Sequence, residues 1–293
     1  MALRVYNNIY SLTAQRNLGT NSANLGGSLE KLSSGLRVNR GADDAAGLAI
    51  SEGLRADIRS LQQASRNAYD GVSLINTAEG ALSEQSSILV RMRELAAQAA
   101  TGTVGSTERA TINREFAALR DEIDRISTVT EFNGQKLLNG ALSSTSATMQ
   151  LNNGATANSV VIQVGMQWHS ADRISLNTAV DLTAIDSTGL NITNISVTHV
   201  QSALDSLGRI DSALTRVTEA RGKLGAVQNR LVHTINNLAV SSENLQAAES
   251  AIRDADYSQE ISQFTRNQIL VQASTAILAQ ANLVPQSVLQ LLG

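Results

Sequence analysis

The sequence predicts a mainly α fold: a long antiparallel coiled-coil-like helical bundle with a small β-containing excursion, whose N- and C-termini pair as a terminal coiled coil. Three observations carry this. Apolar and small residues recur at alternating spacings of three and four in both halves of the 293-residue chain, the pattern of helices that meet along a seam. Aromatic residues are 3% of the chain and proline occurs once, so helices packing through small side chains replace a core filled by large rings. Residues 141–198 are instead rich in Ser, Thr, Asn and Gly, which breaks the helical period.

The N-terminal segment offers Val5, Ile9 and Leu12 and then, after a phase break, Leu25, Leu29, Leu32 and Leu36. From Leu54 the run continues through Ile58, Leu61, Ser65, Ala68, Val72, Ile75, Glu79, Leu82, Ser86, Leu89, Arg93 and Ala96, predicting one helix on the order of 65 Å long. "TGTVGSTE" (101–108) interrupts it. A second run, Ile112, Phe116, Leu119, Ile123 and Ile126, ends near "EFNGQKLLNG", where two Asn-Gly pairs signal turns. In the middle, "ATMQLNNGATANSVVIQV" places an Asn-Gly between two β-like runs, and "RISLNTAVDLTAI" alternates less regularly. Leu207, Ile210, Leu214, Val217, Arg221, Leu224, Gln228, Leu231, Ile235, Leu238, Ser242, Leu245, Glu249 and Ile252 then keep seam spacing for roughly seven heptads. A helix this long cannot bury its seam alone, so it packs on the helices of 54–126.

The last segment offers Leu270, Ser274, Ile277, Ala281, Val284, Val288 and Leu291, and "NLVPQSVLQLLG" stays apolar to the end, where chains usually fray into water. One isolated pair of terminal helices is marginal, because ordering them costs backbone entropy in proportion to their length. Pro285 adds to this, since an interior proline costs about 3 kcal/mol and needs surrounding support. Association with many copies resolves the conflict.

Composition excludes several functions. The net charge is −3 with 17% charged residues, leaving no cationic excess to displace counterions from nucleic acid. No window approaches the roughly 20 apolar residues of a membrane span, and the first residues lack the apolar core of a cleavable signal peptide. His169, His199 and His233 form no H-E-x-x-H, cysteine is absent, and neither G-x-S-x-G nor a phosphate-binding glycine loop occurs. No catalytic residue, metal or cofactor is expected. In "VNRGADDAAGLAISEGL" (38–54) Asp43 and Asp44 are consecutive. On a helix their side chains would diverge by about 100°, poor geometry for a shared proton. Either can cap the helix that follows, while Gly41 and Gly47 permit a turn and close packing.

"LSSGLRVNRGADDAAGLAISEGLRADIR" (32–59), "AYDGVSLINTAEGAL" (68–82), "EIDRISTVTEFNGQKLL" (122–138), "NLQAAESAIRDADYSQE" (244–260) and "QILVQASTAILAQANLVPQSVLQLLG" (268–293) together resemble bacterial flagellin. The resemblance covers roughly 1–140 and 200–293, and departs from the family at Met166, Gln167, Trp168 and His169, where a Gly-Ala-Asn-like turn is more usual. It implies a filament-core domain of 1–44 plus 250–293, with Val5, Ile9, Leu12, Leu25, Leu29, Leu32, Leu36, Leu270, Ile277, Ala281, Val284, Val288 and Leu291 as its polymerisation core. It also implies a rod-like outer domain of 45–249, with a variable segment at about 141–198. Asn39, Gly41, Asp43, Asp44 and Gly47 then read as a hinge between the domains.

Further expectations follow from the resemblance. The protein would be a homopolymer, exported by the flagellar type III apparatus without a cleaved signal peptide and located outside the cell. A chaperone would bind its C-terminal segment, and it would meet filament-cap and hook–filament junction proteins. Arg91, Leu95 and Glu115 match the positions through which flagellins engage Toll-like receptor 5 of hosts. The sequons "NIT" (191–193) and "NIS" (194–196) read as turn chemistry. A hook–filament junction protein and a non-flagellar type III tip protein are the alternatives, and the terminal blocks disfavour both.

Overall fold

The computed structural model describes residues 8–143, 148–150, 156–158 and 160–292, except the side chains of 148–150, 156–158 and 284–292. Helices are α1 (Ile9–Ser34), α2 (Ala45–Ala100), α3 (Ser106–Val129), α4 (Leu176–Val180), α5 (Val200–Arg253) and α6 (Tyr257–Leu292). Strands are β1 (Glu131–Phe132), β2 (Gln135–Lys136), β3 (Thr148–Gln150), β4 (Thr156–Asn158), β5 (Val161–Gln163) and β6 (Arg173–Ser175). The chain divides into two compact units, Met1–Ile58 with Glu243–Gly293, and Arg59–Ser242. The division falls inside α2 and α5.

In the 59–242 unit, α2, α3 and α5 share one apolar core. The seam of α2 runs through Leu61, Ala64, Ala68, Gly71, Ile75, Ala78, Leu82, Gln85, Leu89, Met92, Ala96 and Ala99. Every seventh position from Leu61 is as expected from spacing. The intervening ones lie one residue earlier than expected, because Ala64, Gly71 and Ala78 are small enough for a close neighbour. A Cβ added to Gly71 would come within 2.3 Å of the Ile162 side chain. Glu79 and Arg93 flank the seam instead and pair with α5, Glu79 with Arg221 at 2.7 Å and Arg93 with Asp211 at 2.9 Å.

The seam of α5 corrects in the same way. Ile210, Val217, Leu224 and Leu231 are buried as expected, and their partners are Ala213, Ala220 and Val227 rather than Leu214, Arg221 and Gln228. Beyond Leu231 the buried positions step by four to Ile235 and then by three to Leu238, a local shift of the heptad phase.

Short pieces of β structure close the core. β1 and β2 form a hairpin across Asn133 (φ 50) and Gly134 (φ 76), the two left-handed residues a tight hairpin turn requires. β3 pairs with β4 in antiparallel register, Thr148 opposite Asn158, while the Asn-Gly expected to turn between them lies outside the described residues. β5 pairs with β6, Ile162 opposite Ile174, so "VVIQV" is partnered by "RIS". "LNTAV" is the helix α4 rather than a strand. Asn191, in the first sequon, holds φ 61, a left-handed turn that asparagine tolerates.

Buried polar groups fasten these pieces to the helices. Asn177 donates Nδ2 to the carbonyl of Ala141 at 2.9 Å and accepts from the Val160 amide at 2.9 Å. Gln85 donates Nε2 to the carbonyls of Ile123 (3.3 Å) and Ile185 (3.0 Å). Asp124 accepts from the Ser187 amide and hydroxyl at 2.6 and 2.8 Å. Asn177 and Asp124 thus engage backbone amides of the connecting segments, and Gln85 ties α2 to α3 and to the segment at Ile185.

Candidate functional site

The candidate site is the pair α1–α6 and the turn behind it. Asn8 starts α1 by accepting the Ser11 amide on its side chain at 3.1 Å, and Gly35 ends it in the left-handed conformation (φ 72), a common helix stop. On α6, Asp256 accepts the Ser258 and Gln259 amides at 2.8 and 3.3 Å.

The two helices pack antiparallel along positions of regular heptad spacing. On α1 these are Ser11, Ala14, Leu18, Asn21, Leu25, Ser28 and Leu32; on α6 they are Glu260, Phe264, Asn267, Val271, Ser274, Leu278 and Ala281. Polar rungs cross between them. Asn8 Nδ2 donates to the Ala281 carbonyl at 2.8 Å, Ser11 Oγ to Asn282 Oδ1 at 2.7 Å, Asn21 Nδ2 to Ser274 Oγ at 2.8 Å, and Asn267 Nδ2 to Ser28 Oγ at 3.2 Å. Polar pairs in a helical seam fix its register, because a slip leaves them unpartnered.

The most buried seam residues, Ala14, Ser28, Glu260, Ser274 and Ala281, are small or polar; Leu18, Leu25, Leu32, Phe264, Val271 and Leu278 are half-buried between them, and other large apolar residues face out. Ile9 is 57% exposed, Leu12 68%, Leu29 57%, Ile269 59%, Ile277 60% and Leu283 53%. The expected core set therefore divides. Leu25, Leu32 and Leu36 are half-buried and Ala281 is buried, whereas Ile9, Leu12, Leu29, Leu270 and Ile277 are exposed. Val5 lies outside the described residues. Val284, Val288 and Leu291 lie within α6, with side chains outside the described set. Spacing alone favoured the large residues. The heptad recurrence of Asn21 with Ser28, and of Asn267 with Ser274, was the sequence signal for the rungs.

The turn after α1 is fastened at several points. The Arg37 amide donates to the Arg253 carbonyl at 2.7 Å and the Ala255 amide to the Gly35 carbonyl at 3.0 Å, placing Leu36 opposite Asp254 in an antiparallel bridge. The two adjacent acids have separate tasks. Asp43 Oδ2 accepts the amides of Asn39 (3.1 Å) and Arg40 (2.9 Å), and those amides, Arg40 first, hold its carboxyl below the usual range. Asp44 Oδ1 accepts the Gly47 amide at 2.8 Å and so caps α2.

The two glycines differ from expectation. A Cβ on Gly41 would meet only ordinary contact with Leu48 at 3.9 Å, whereas one on Gly47 would lie 2.4 Å from the capping carboxylate of Asp44. Asn39 donates Nδ2 to Glu30 at 2.8 Å. Nearby, Glu52 lies between Arg253 (2.8 Å) and Arg55 (2.9 Å), and hydrogen bonds from Arg253 and then Arg55 lower its carboxyl pKa.

The residues expected to meet a receptor lie on α2 and α3. Arg91 donates Nε and Nη2 to Glu115 Oε1 at 3.0 and 2.9 Å and Nη1 to Glu94 at 3.0 Å. Glu115, then Glu94, raise its pKa. Arg91 and Glu115 are exposed, but Leu95 is 2% exposed and belongs to the core. Leu95 is packed into the core and offers no apolar surface beside the exposed pair. Among the described residues, no group of three or more His, Cys, Asp or Glu could hold a metal ion, and no helix is long and apolar enough to cross a membrane.

Two family models match the chain: the bacterial flagellin N-terminal helical region over residues 5–143 and the bacterial flagellin C-terminal helical region over 207–292. The chain is 52% identical to flagellin of Halalkalibacterium halodurans over 289 residues, covering 98% of this chain and 99% of that one. It is 46% identical to flagellin of Bacillus subtilis over 312 residues, covering 99% and 100%. It is also 42% identical to the flagellar filament 30.7 kDa core protein of Treponema maltophilum over 296 residues, covering 98% and 99%.

Proposed function

The chain belongs to the bacterial flagellin family, and on that premise we propose that its paired terminal helices are the surface by which copies join into the flagellar filament. The protein is a structural subunit of that filament, which lies outside the cell. The observation that carries the assembly surface is the apolar outer face of the pair: polar rungs and half-buried leucines lie between α1 and α6, and Ile9, Leu12, Leu29, Ile269, Ile277 and Leu283 stand in water. Such a pair becomes favourable when neighbouring copies cover its outer face. Deleting residues 270–293 is expected to leave a largely helical monomer that stays in the supernatant when seeded. Pelleting of that truncation as ordinary filaments would overturn the reading.

The same exposed residues suit export through the flagellar type III apparatus. A chaperone that shields Ile269, Leu270, Ile277 and Leu283 of α6 keeps them from premature association. Assembly takes place beside the filament cap and the hook–filament junction proteins. The segment around Asn39, Gly41, Asp43, Asp44 and Gly47 acts as the hinge between a filament-core domain (1–44 and 250–293) and an outer domain (45–249). The near full-length identity to flagellins favours the filament subunit over a hook–filament junction protein.

A second reading concerns Toll-like receptor 5. It rests on the exposed Arg91–Glu115 pair, whose guanidinium keeps a charge for a partner, with Leu95 packed into the core. Arg91→Asp in purified monomer is expected to abolish signalling. Unchanged signalling would remove the assignment.

A further inference from the structure

Trp168 and two nearby arginines form a surface that filament assembly through the terminal helices leaves unused. Trp168 is the chain's single tryptophan, placed between β5 and β6 and 82% exposed. A tryptophan left in water forfeits most of the burial its size offers. Its backbone is nonetheless held in place. The Gln167 amide donates to Asp172 Oδ2 at 2.8 Å, Gln163 Nε2 donates to the Gln167 carbonyl at 2.7 Å, and the Val164 amide donates to the Asp172 carbonyl at 2.8 Å. The indole is thus presented from tied backbone, tilted at 5.5 Å from the His169 ring.

Trp168, Arg173 and Arg230 line one open cleft, with Ile174 and Thr178. Arg173 donates Nε to Gln163 at 3.1 Å. Among the described residues neither guanidinium pairs with a carboxylate, and Arg230 has no side-chain partner. Asp172 is turned to the Gln167 amide. A flat apolar face beside two planar cations that lack a carboxylate partner matches a pyranose ring that carries a carboxylate. A neutral sugar leaves the cations unused, and an acidic peptide lacks the flat rigid face. The chain as a whole is anionic, at −3, so general attraction to polyanions supplies no alternative source of binding.

We infer that this cleft binds an acidic polysaccharide, with Trp168 stacked on a uronate ring and Arg173 and Arg230 on its carboxylate. The test uses full-length monomer and its own tryptophan as reporter, titrated with polygalacturonate. A saturable blue shift is expected, with none for neutral dextran. Arg173→Gln and Arg230→Gln should each weaken the midpoint at least about tenfold, with circular dichroism unchanged. Trp168→Ala, followed by retention on immobilised polygalacturonate, should lose binding. No saturable shift, an equal shift with dextran, or unaltered midpoints in both arginine variants would overturn the inference. A blue shift on polymerisation alone, with no sugar response in monomer, would also overturn it and assign the cleft to a second copy. Because binding is read on monomer, its failure leaves filament assembly untouched.

Discussion

The seams of the two units are built in opposite ways. In the 59–242 unit, Ile75, Leu82, Leu89, Phe116 and Ile123 are fully or almost fully buried, and charges such as Glu79 and Arg221 sit at the flank. In the terminal unit, Ala14, Ser28, Ser274 and Ala281 are buried and Leu12 and Ile277 stand in water. The first seam contains the apolar area that holds it together. The second mixes polar rungs with half-buried leucines and leaves several large side chains for surfaces beyond the chain. One arrangement suits a body that folds once; the other suits a part finished only in company.

That contrast can be broken or sharpened by substitution. The largest monomer effect is expected for Leu82→Ala, about 2–5 kcal/mol lost to transfer and cavity, read as a fall in urea midpoint. A loss under 1 kcal/mol would mean that the core is looser than its burial indicates. Asn21→Ala should cost about 0.5–1.5 kcal/mol of terminal pairing, seen as faster amide exchange in α1 and α6 with α2 and α5 unchanged. Asp44→Ala removes the cap of α2, at about 1 kcal/mol; exchange at the Gly47 amide should rise first. Leu12→Ala should leave monomer stability within about 0.5 kcal/mol while raising the monomer concentration required for assembly. An equal loss in both measurements would erase the distinction.

The smallest effect concerns pH. The Asp43 and Glu52 carboxyls lie below their ordinary values of 3.8 and 4.5 in the folded chain. Their stabilisation is complete above those ordinary values and is lost as pH falls through the lowered ones. Asp43→Asn should therefore lower stability slightly at neutral pH and flatten the acid limb of the stability curve, with no difference from the parent chain below the lowered value.

The helices were legible because their periods are long, and a cap at Asp43 or Asp44 because acids precede an alanine-rich start; which of the two caps depends on the turn that the other one holds. Which neighbouring stripe of α2 would be buried was less legible. Residues three and four apart lie side by side on a helix, so Glu79 and Ala78, or Arg93 and Met92, fit the period equally well. The choice rests on tertiary partners: α5 supplies Arg221 and Asp211 for the charges, and Gln85 enters the core where its amide donates to the Ile123 and Ile185 carbonyls. At the ends, hydrophobicity pointed to Ile9, Leu12 and Ile277, since a single sequence does not distinguish residues facing its own partner helix from those facing another molecule. The strand pairings were hardest, because three-residue strands carry almost no period. Trp168 stood out only as an unusual residue; the two arginines beside it come from β6 and from a helix more than fifty residues away.

The short backbone exchange behind α1 has a kinetic consequence. The Arg37 side chain donates to the Ile252 carbonyl at the end of α5, 215 positions further along the chain, and closing so long a loop is entropically slow. Once Gly35 and Ala255 have clasped, each later rung from Ser28–Asn267 to Asn8–Ala281 needs only a small further closure. Terminal pairing should then proceed as a zipper from that clasp toward the free ends. Gly35 is its pin: any side chain there is strained at φ +72 and meets the Tyr257 hydroxyl, so a substitution would delay the zipper at its first tooth.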